Sequence, residues 1–246
     1  MSESLDGLQL FARIAKDLAE QGDYSDTVQR IVEIACQMTG ADLAAVWEIK
    51  AGGVPVLRGV SDAPAGETLN DILTRVSEGV AHQTLTNRST TVMHDLDSED
   101  RWPAYVAALR ERDLQIRSAV AYALEIGEHD LGALALYSAK PDFFTPDIID
   151  IGGVLADHAA IAIEASRTAD KADNLEMALR SNRRIGVAIG ILIALYKLTE
   201  AQAFDMLRTA SQRNHVKLQE IAEQVIFSGE APSWPVTRRR PGQTPV

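Results

Sequence analysis

Apolar residues recur three and four apart from the start of the chain. Leu5, Leu8, Phe11, Ala12, Ala15, Leu18 and Ala19 predict an amphipathic helix over 4–20. After the punctuation Gly-Asp-Tyr-Ser, Val28, Ile31, Val32, Ala35 and Cys36 mark a second helix ending near Gly40. Strands are predicted at Leu43–Ile49 and Val54–Val60, with Ala-Gly-Gly at 51–53 as their turn. Helical patterns near 67–77 and 99–112 flank a short strand at Thr90–His94. Ser118–Ile126 and Leu131–Ser138 read as a hairpin around a loop of about four residues at 127–130. This order lacks regular β-α-β alternation, so it predicts an α+β domain built on an antiparallel sheet.

From Pro146 the helical signal becomes long, and no proline interrupts 147–231. Within it Leu175, Ala178, Asn182, Ile185, Ile189, Leu192 and Tyr196 keep a 3–4 spacing. That is the signature of a two-helix seam, and one polar Asn in such a seam sets its register. The same face would also serve as a helix stripe buried within its own domain. Gly186 and Gly190, one turn apart, leave a smooth strip that another backbone can approach, the third helix of the same unit being the simplest occupant. Thr199 and Gln202 have capping-box spacing, Ala203, Phe204, Leu207 and Ala210 form a buried stripe, and Asn214 is the expected left-handed stop. Leu218, Ile221, Ala222, Val225 and Ile226 mark a last helix, closed by Gly229. The expected divisions are therefore an N-terminal helix (1–19), an α+β domain (20–168), a three-helix bundle reached through the long helix (169–229), and a disordered tail (230–246) with four prolines and Arg238-Arg239-Arg240.

Charge divides along the same line. Residues 1–169 carry 13 basic against 27 acidic side chains, a net of -14, while 170–246 carry 11 against 8, a net of +3. An acidic body repels a phosphate backbone, and the C-terminal portion tolerates one. The single Cys36 excludes an internal disulfide and a cysteine zinc cluster, and fits a reducing cytosol. The opening residues have neither a basic nor an apolar signal region, and the longest uncharged apolar stretch, Ile185–Tyr196, is too short to span a bilayer. A cytoplasmic protein is expected.

Catalytic chemistry finds no support. The chain has no phosphate loop, no dinucleotide fingerprint, no HExxH and no GxSxG. The five histidines lack metal-ligand spacing, and the acidic run His94–Asp100 lacks the loop of an EF-hand, so it reads as a solvated surface loop. Neither a metal nor a cofactor is expected, and no membrane partner. Cys36 falls on an apolar helix face and reads as an inert thiol. Trp47, Met93, Trp102, Tyr105 and Tyr122 either line a small-molecule pocket or fill core. Arg180, Arg183 and Arg184 precede the apolar run of the long helix, while Arg208, Arg213 and Lys217 flank the second turn of the bundle. If they converge, they form a small basic face for phosphates, with Ser211 and Asn214 beside it for loop bases.

Two stretches resemble known families. The strand "ADLAAVWEI" (41–49), the loop "HDLDSEDRWPAY" (94–105), the paired strands "IRSAVAYALEIGEHDLGALALYS" (116–138) and "FFTPDIIDIGGVLADHAAIAIEASR" (143–167) resemble a GAF domain, a small-molecule sensor module. Its frequent Glu-Gly-Pro-Cys segment reads Glu78-Gly79-Val80-Ala81 here, without the reactive thiol. The string "LEMALRSNRRIGVAIGILIALYKLTEAQAFDMLRTASQRNHVKLQEIAEQVI" (175–226) resembles an ANTAR domain, an RNA-binding antitermination module. The Ala-Lys-Gly of that family reads Ala188-Ile189-Gly190 here. The resemblance implies a non-enzymatic regulator in which a GAF-like sensor reports to an output unit that grips RNA hairpins as a homodimer. The alternatives are a DNA-binding factor of similar layout and a dimeric sensor that binds only protein.

Overall fold

A computed structural model describes residues 23–49, 55–112, 114–127 and 129–232. The helix expected over 4–20, the turn at 51–53 and nearly all of the 230–246 tail lie outside the described residues. The chain divides into two compact units, Met1–Asp170 and Lys171–Val246.

The first unit is α+β. Helix α1 (Tyr24–Thr39) leads into strands β1 (Leu43–Ile49) and β2 (Pro55–Val60). Helices α2 (Ala63–Arg75) and α3 (Val80–Asn87), strand β3 (Thr91–Met93) and helix α4 (Pro103–Glu111) follow. Strands β4 (Ser118–Ile126) and β5 (His129–Ser138) precede helix α5 (Pro146–Tyr196). The five strands form one sheet in the order β2-β1-β5-β4-β3, every pair antiparallel. Helix α1 starts where the Asp23 carboxylate accepts from Asp26 N, and stops where Gly40 turns left-handed at φ 72°.

Strand alternation divides the core in two. On one face Ala44, Val46, Val120, Tyr122, Leu124, Leu134 and Leu136 pack against α1 and the start of α5. On the other, Ala45, Ala119, Ala121, Ala133 and Ala135 make a floor of small residues, which leaves room for Trp47, Tyr105 and Tyr137. Helices α2, α3 and α4 roof that layer. Two details differ from the sequence pattern. The stretch assigned to one helix near 67–77 is followed by a second, α3, because Gly79 at φ 102° breaks the run and lets the Tyr105 ring pack beneath it. The hairpin loop is shorter than four residues because β5 begins at His129.

The second unit contains the end of α5, helix α6 (Glu200–Asn214) and helix α7 (Leu218–Ser228). Ala188, Leu192, Ala203, Leu207, Ala210, Ile221, Ala222 and Val225 form its core. The Thr199–Gln202 capping box is present with both hydrogen bonds. The left-handed stop of α6 is His215 at φ 54° and not Asn214, which is the last helical residue. Lys197, also left-handed at φ 55°, closes α5 by donating its N–H to Ile193 O. Among the described residues no single helix is long and apolar enough to cross a membrane.

Candidate functional site

Of the five aromatic and sulfur side chains named as pocket candidates, four share one layer. Trp47, Met93, Trp102 and Tyr105 lie between the alanine floor and α2–α4. Tyr122 does not join them. It sits two residues from Val120 on β4, so it points to the opposite face, where its hydroxyl meets Gly152 of α5. A Cβ at Gly152 would stand 2.3 Å from that oxygen. Tyr137, absent from the sequence assignment, takes the place beside Trp47 and Tyr105. Strand phase was the signal that could have found it, since Tyr137 is in register with Ala119 and Leu43.

This aromatic layer is apolar but holds polar tips. Trp47 Nε1 and the Tyr137 hydroxyl are fully buried without a well-formed hydrogen bond, while Tyr105 and Trp47 are near enough to Tyr137 to bias its ionisation. Burial pushes the phenols of Tyr105 and Tyr137 well above their ordinary range, so both stay protonated donors. A cleft of about 260 Å³ opens at the edge of the layer, lined by Ser77, Glu78, His82, Gln83, Thr86, Asn87 and Trp102. Trp102 Nε1 donates to Gln83 Oε1 at 2.9 Å, and Arg101 stacks on the indole at 4.2 Å. Glu78 Oε2 accepts from Ala104 N at 3.0 Å, which tethers the cleft wall to the start of α4.

A second cleft, of about 280 Å³, is lined by Glu48, Asp130, Leu131 and Arg167. Glu48 is nearly buried and accepts from three donors: the Tyr24 hydroxyl, Arg58 Nε at 2.5 Å and Arg167 Nη2. Arg167 also lies over the Tyr24 ring at 5.4 Å. Burial raises the Tyr24 phenol, with Arg167 and Arg58 opposing it. The network joins α1, β1, β2 and α5, and no local pattern announces it because its members lie up to 143 residues apart.

The acidic run 94–100 is more ordered than a free solvated loop. Asp95 accepts from Arg117 at 2.8 Å, Asp97 pairs with Arg117 and Arg110, and Glu99 with Arg101. Hydrogen bonding to Arg117 holds the Asp95 carboxyl below its usual range. Burial, countered by a contact to Ser61, pushes the Cys36 thiol up, which keeps it protonated near neutral pH.

In the helical unit three of the six named cations pair with acidic neighbours. Arg180 pairs with Glu176 one turn back on α5, Arg184 with Glu223 of α7, and Arg208 with Asp205 of α6. All three pairs are largely exposed, so each is worth about 0–1 kcal/mol and yields readily to a phosphate. Arg183, Arg213 and Lys217 are exposed. Ser211 is committed elsewhere: its hydroxyl donates to Val216 O at 2.7 Å and shapes the α6–α7 turn. Asn214 is half-buried at that turn.

The proposed helix seam is divided by the fold. Leu192 is fully buried in the unit's own core and Ile185 packs against it, whereas Leu175, Ala178 and Asn182 are exposed. Ile189, where the ANTAR pattern has Lys, is half-buried at the border of that core. Nothing lies within 4 Å of a Cβ built at Gly186 or Gly190, so the third helix does not fill that strip.

An α+β unit with clefts on both sides of its sheet, followed by a helical unit with exposed arginines, defines a sensor joined to an output module. The chain belongs to the GAF domain family, whose model matches residues 21–164, and the ANTAR domain model matches 173–226 behind it. ANTAR domains bind RNA in transcription antitermination and GAF domains are sensors, so the protein is a signal-responsive regulator of transcription. No curated protein matches the chain at a significant level. Among solved structures it is similar to the GAF domain of an Acinetobacter phosphoenolpyruvate-protein phosphotransferase, at 13% identity and TM-score 0.52 over 66% of this chain and 95% of that one. The corresponding domain from Coxiella burnetii gives 16% and 0.52 over 65% and 94%. Free methionine-R-sulfoxide reductase from Neisseria meningitidis, solved with its substrate, gives 17% and 0.50 over 65% and 89%. At these identities the likeness establishes the fold alone.

Proposed function

We propose that this protein is a cytoplasmic, non-enzymatic homodimer that grips hairpins in a nascent transcript and so prevents a terminator from forming. A small molecule received by the sensor unit switches it. The observation that carries the reading is the ANTAR match across all three helices of a unit whose arginines are solvent-facing and only loosely paired. The domains assigned are 20–168 for sensing and 169–229 for RNA, with Arg180, Arg183, Arg184, Arg208, Arg213 and Lys217 meeting phosphate, and Ser211 and Asn214 near loop bases. Ser211 contributes through its remaining lone pairs. The ligand end of the sensor is the Trp47–Met93–Trp102–Tyr105 layer, with Tyr137 in place of Tyr122.

Gel shifts with a two-hairpin RNA, a loop-scrambled version and a DNA duplex test this. The two-hairpin RNA binds tightest. Arg183→Ala and Arg213→Ala each weaken it by about 1 kcal/mol or more, roughly fivefold, without altering the circular dichroism spectrum. With few cations involved, the salt slope corresponds to about two to four phosphates. Equal affinity for all three nucleic acids would reduce the interaction to bulk electrostatics. A preference for the duplex would favour a DNA-binding factor, although α7 has no Lys or Arg from Leu218 to Phe227 to read bases.

A further inference from the structure

Glu48 stands two residues after Val46 on β1, so it lies on the α1 and α5 side of the sheet, across from Trp47 and the aromatic layer. There two guanidiniums, Arg58 and Arg167, converge on one carboxylate, which leaves the cluster with one positive charge in excess. The Tyr24 hydroxyl adds a third donor to Glu48 and no charge. The Arg58, Arg167 and Glu48 side chains are only 33%, 25% and 12% exposed. An ion pair that serves stability alone matches one cation to one anion, because an unmatched charge away from water is costly. Arg167 commits only Nη2, to Glu48 and, at 3.4 Å, to Leu131 O. Among the described residues its Nε and Nη1 donors therefore have no acceptor. Arg167 borders the cleft of about 280 Å³ that Glu48, Asp130 and Leu131 also line. Asp130 supplies the opposite pole. Its Oδ1 accepts from Gly132 N at 3.1 Å, while Oδ2 stands 3.6 Å from the exposed Arg88, beyond hydrogen-bond reach.

We propose that this cleft is a second ligand site of the sensor, and that it takes a free α-amino acid with an aliphatic side chain. The carboxylate of such a zwitterion meets the Arg167 guanidinium and offsets the excess charge, and its ammonium meets Asp130. A plain carboxylate would set a further negative charge against Asp130 and Glu48, and a plain amine would leave the Arg167 donors unanswered. Size and lining narrow the class. The volume lies just below the range of about 300–1,000 Å³ typical of drug-sized ligand pockets, so the cleft suits one amino acid and not a nucleotide. Leu131 is its apolar wall, and the two carboxylates disfavour an acidic side chain. The sheet separates this site from the aromatic layer, so the two receive different ligands. Arg167 lies three residues before Asp170, where the first unit ends. A ligand that draws on Arg167 therefore acts on α5 at the point where the helix leaves the sensor.

Isothermal titration calorimetry of the full-length chain with L-leucine and L-valine tests the site, with 4-methylpentanoate and 3-methylbutylamine as the two halves of leucine. At least one of the amino acids binds with a dissociation constant below about 1 mM, and both half-ligands bind at least about tenfold more weakly. Asp130→Asn keeps the shape and the acceptor for Gly132 N but removes the charge, and it weakens amino-acid binding by at least about tenfold. Arg167→Lys keeps the charge but loses the planar fork, and it weakens binding to a similar extent. Asp130 is 25% exposed, so its variant decides the matter if Arg167→Lys fails to fold. No heat from either amino acid at about 10 mM overturns the proposal, as does equal affinity for a half-ligand. Affinity that falls on Trp102→Phe but not on Asp130→Asn moves the ligand to the aromatic layer and overturns it too. Each of these outcomes leaves the RNA-binding reading untouched.

Discussion

Leu192→Asp is expected to melt the C-terminal unit, while Leu179→Asp, thirteen residues earlier on the same helix, leaves it folded. Leu192 is fully buried among Ala188, Ala203, Leu207, Ile221, Ala222 and Val225. Losing its packing costs about 3–5 kcal/mol, and a carboxylate in its place adds several more. A unit of this size is stable by only about 3–9 kcal/mol. Leu179 is mostly exposed, so aspartate there costs the isolated unit little. Hydrogen exchange over 198–228 separates the two variants. Loss of protection in Leu179→Asp would place that side chain in the core.

Gly132→Ala is expected to be the most damaging single-methyl substitution in the sensor. Gly132 stands at φ 137°, where L-residues are strained, and its Cβ would lie 2.0 Å from the Trp47 carbonyl oxygen. The clash is with backbone of the neighbouring strand, so no side-chain rotation relieves it. Strain and overpacking together cost about 4 kcal/mol, or roughly 8–16 °C in melting temperature. Gly127→Ala, at φ 60° with open space around it, costs about 1–2 kcal/mol. Melting curves of the two variants should differ accordingly, and equal melting would mean that β5 can move away from β1.

Residue order alone determined what depends on neighbours in the chain. The 3–4 and 2-residue periods placed the strands and the long helix, the Thr199–Gln202 spacing identified a capping box, and the charge imbalance separated two units with different partners. The motif strings carried the family, since both domains are recognised by runs of local pattern. Tertiary structure decided which face each side chain serves. Helix spacing cannot tell a seam between molecules from a core within one, because both demand apolar residues three and four apart. Only the docking of α6 and α7 assigned Ile185 and Leu192 to the inside and left Leu179 and Gly186 outside. Strand phase put Tyr137 with Trp47 and turned Tyr122 away, although both tyrosines look alike in composition. Glu48 met Tyr24, Arg58 and Arg167 only through folding, because a carboxylate's partners are set by where the backbone brings them and not by their separation along it.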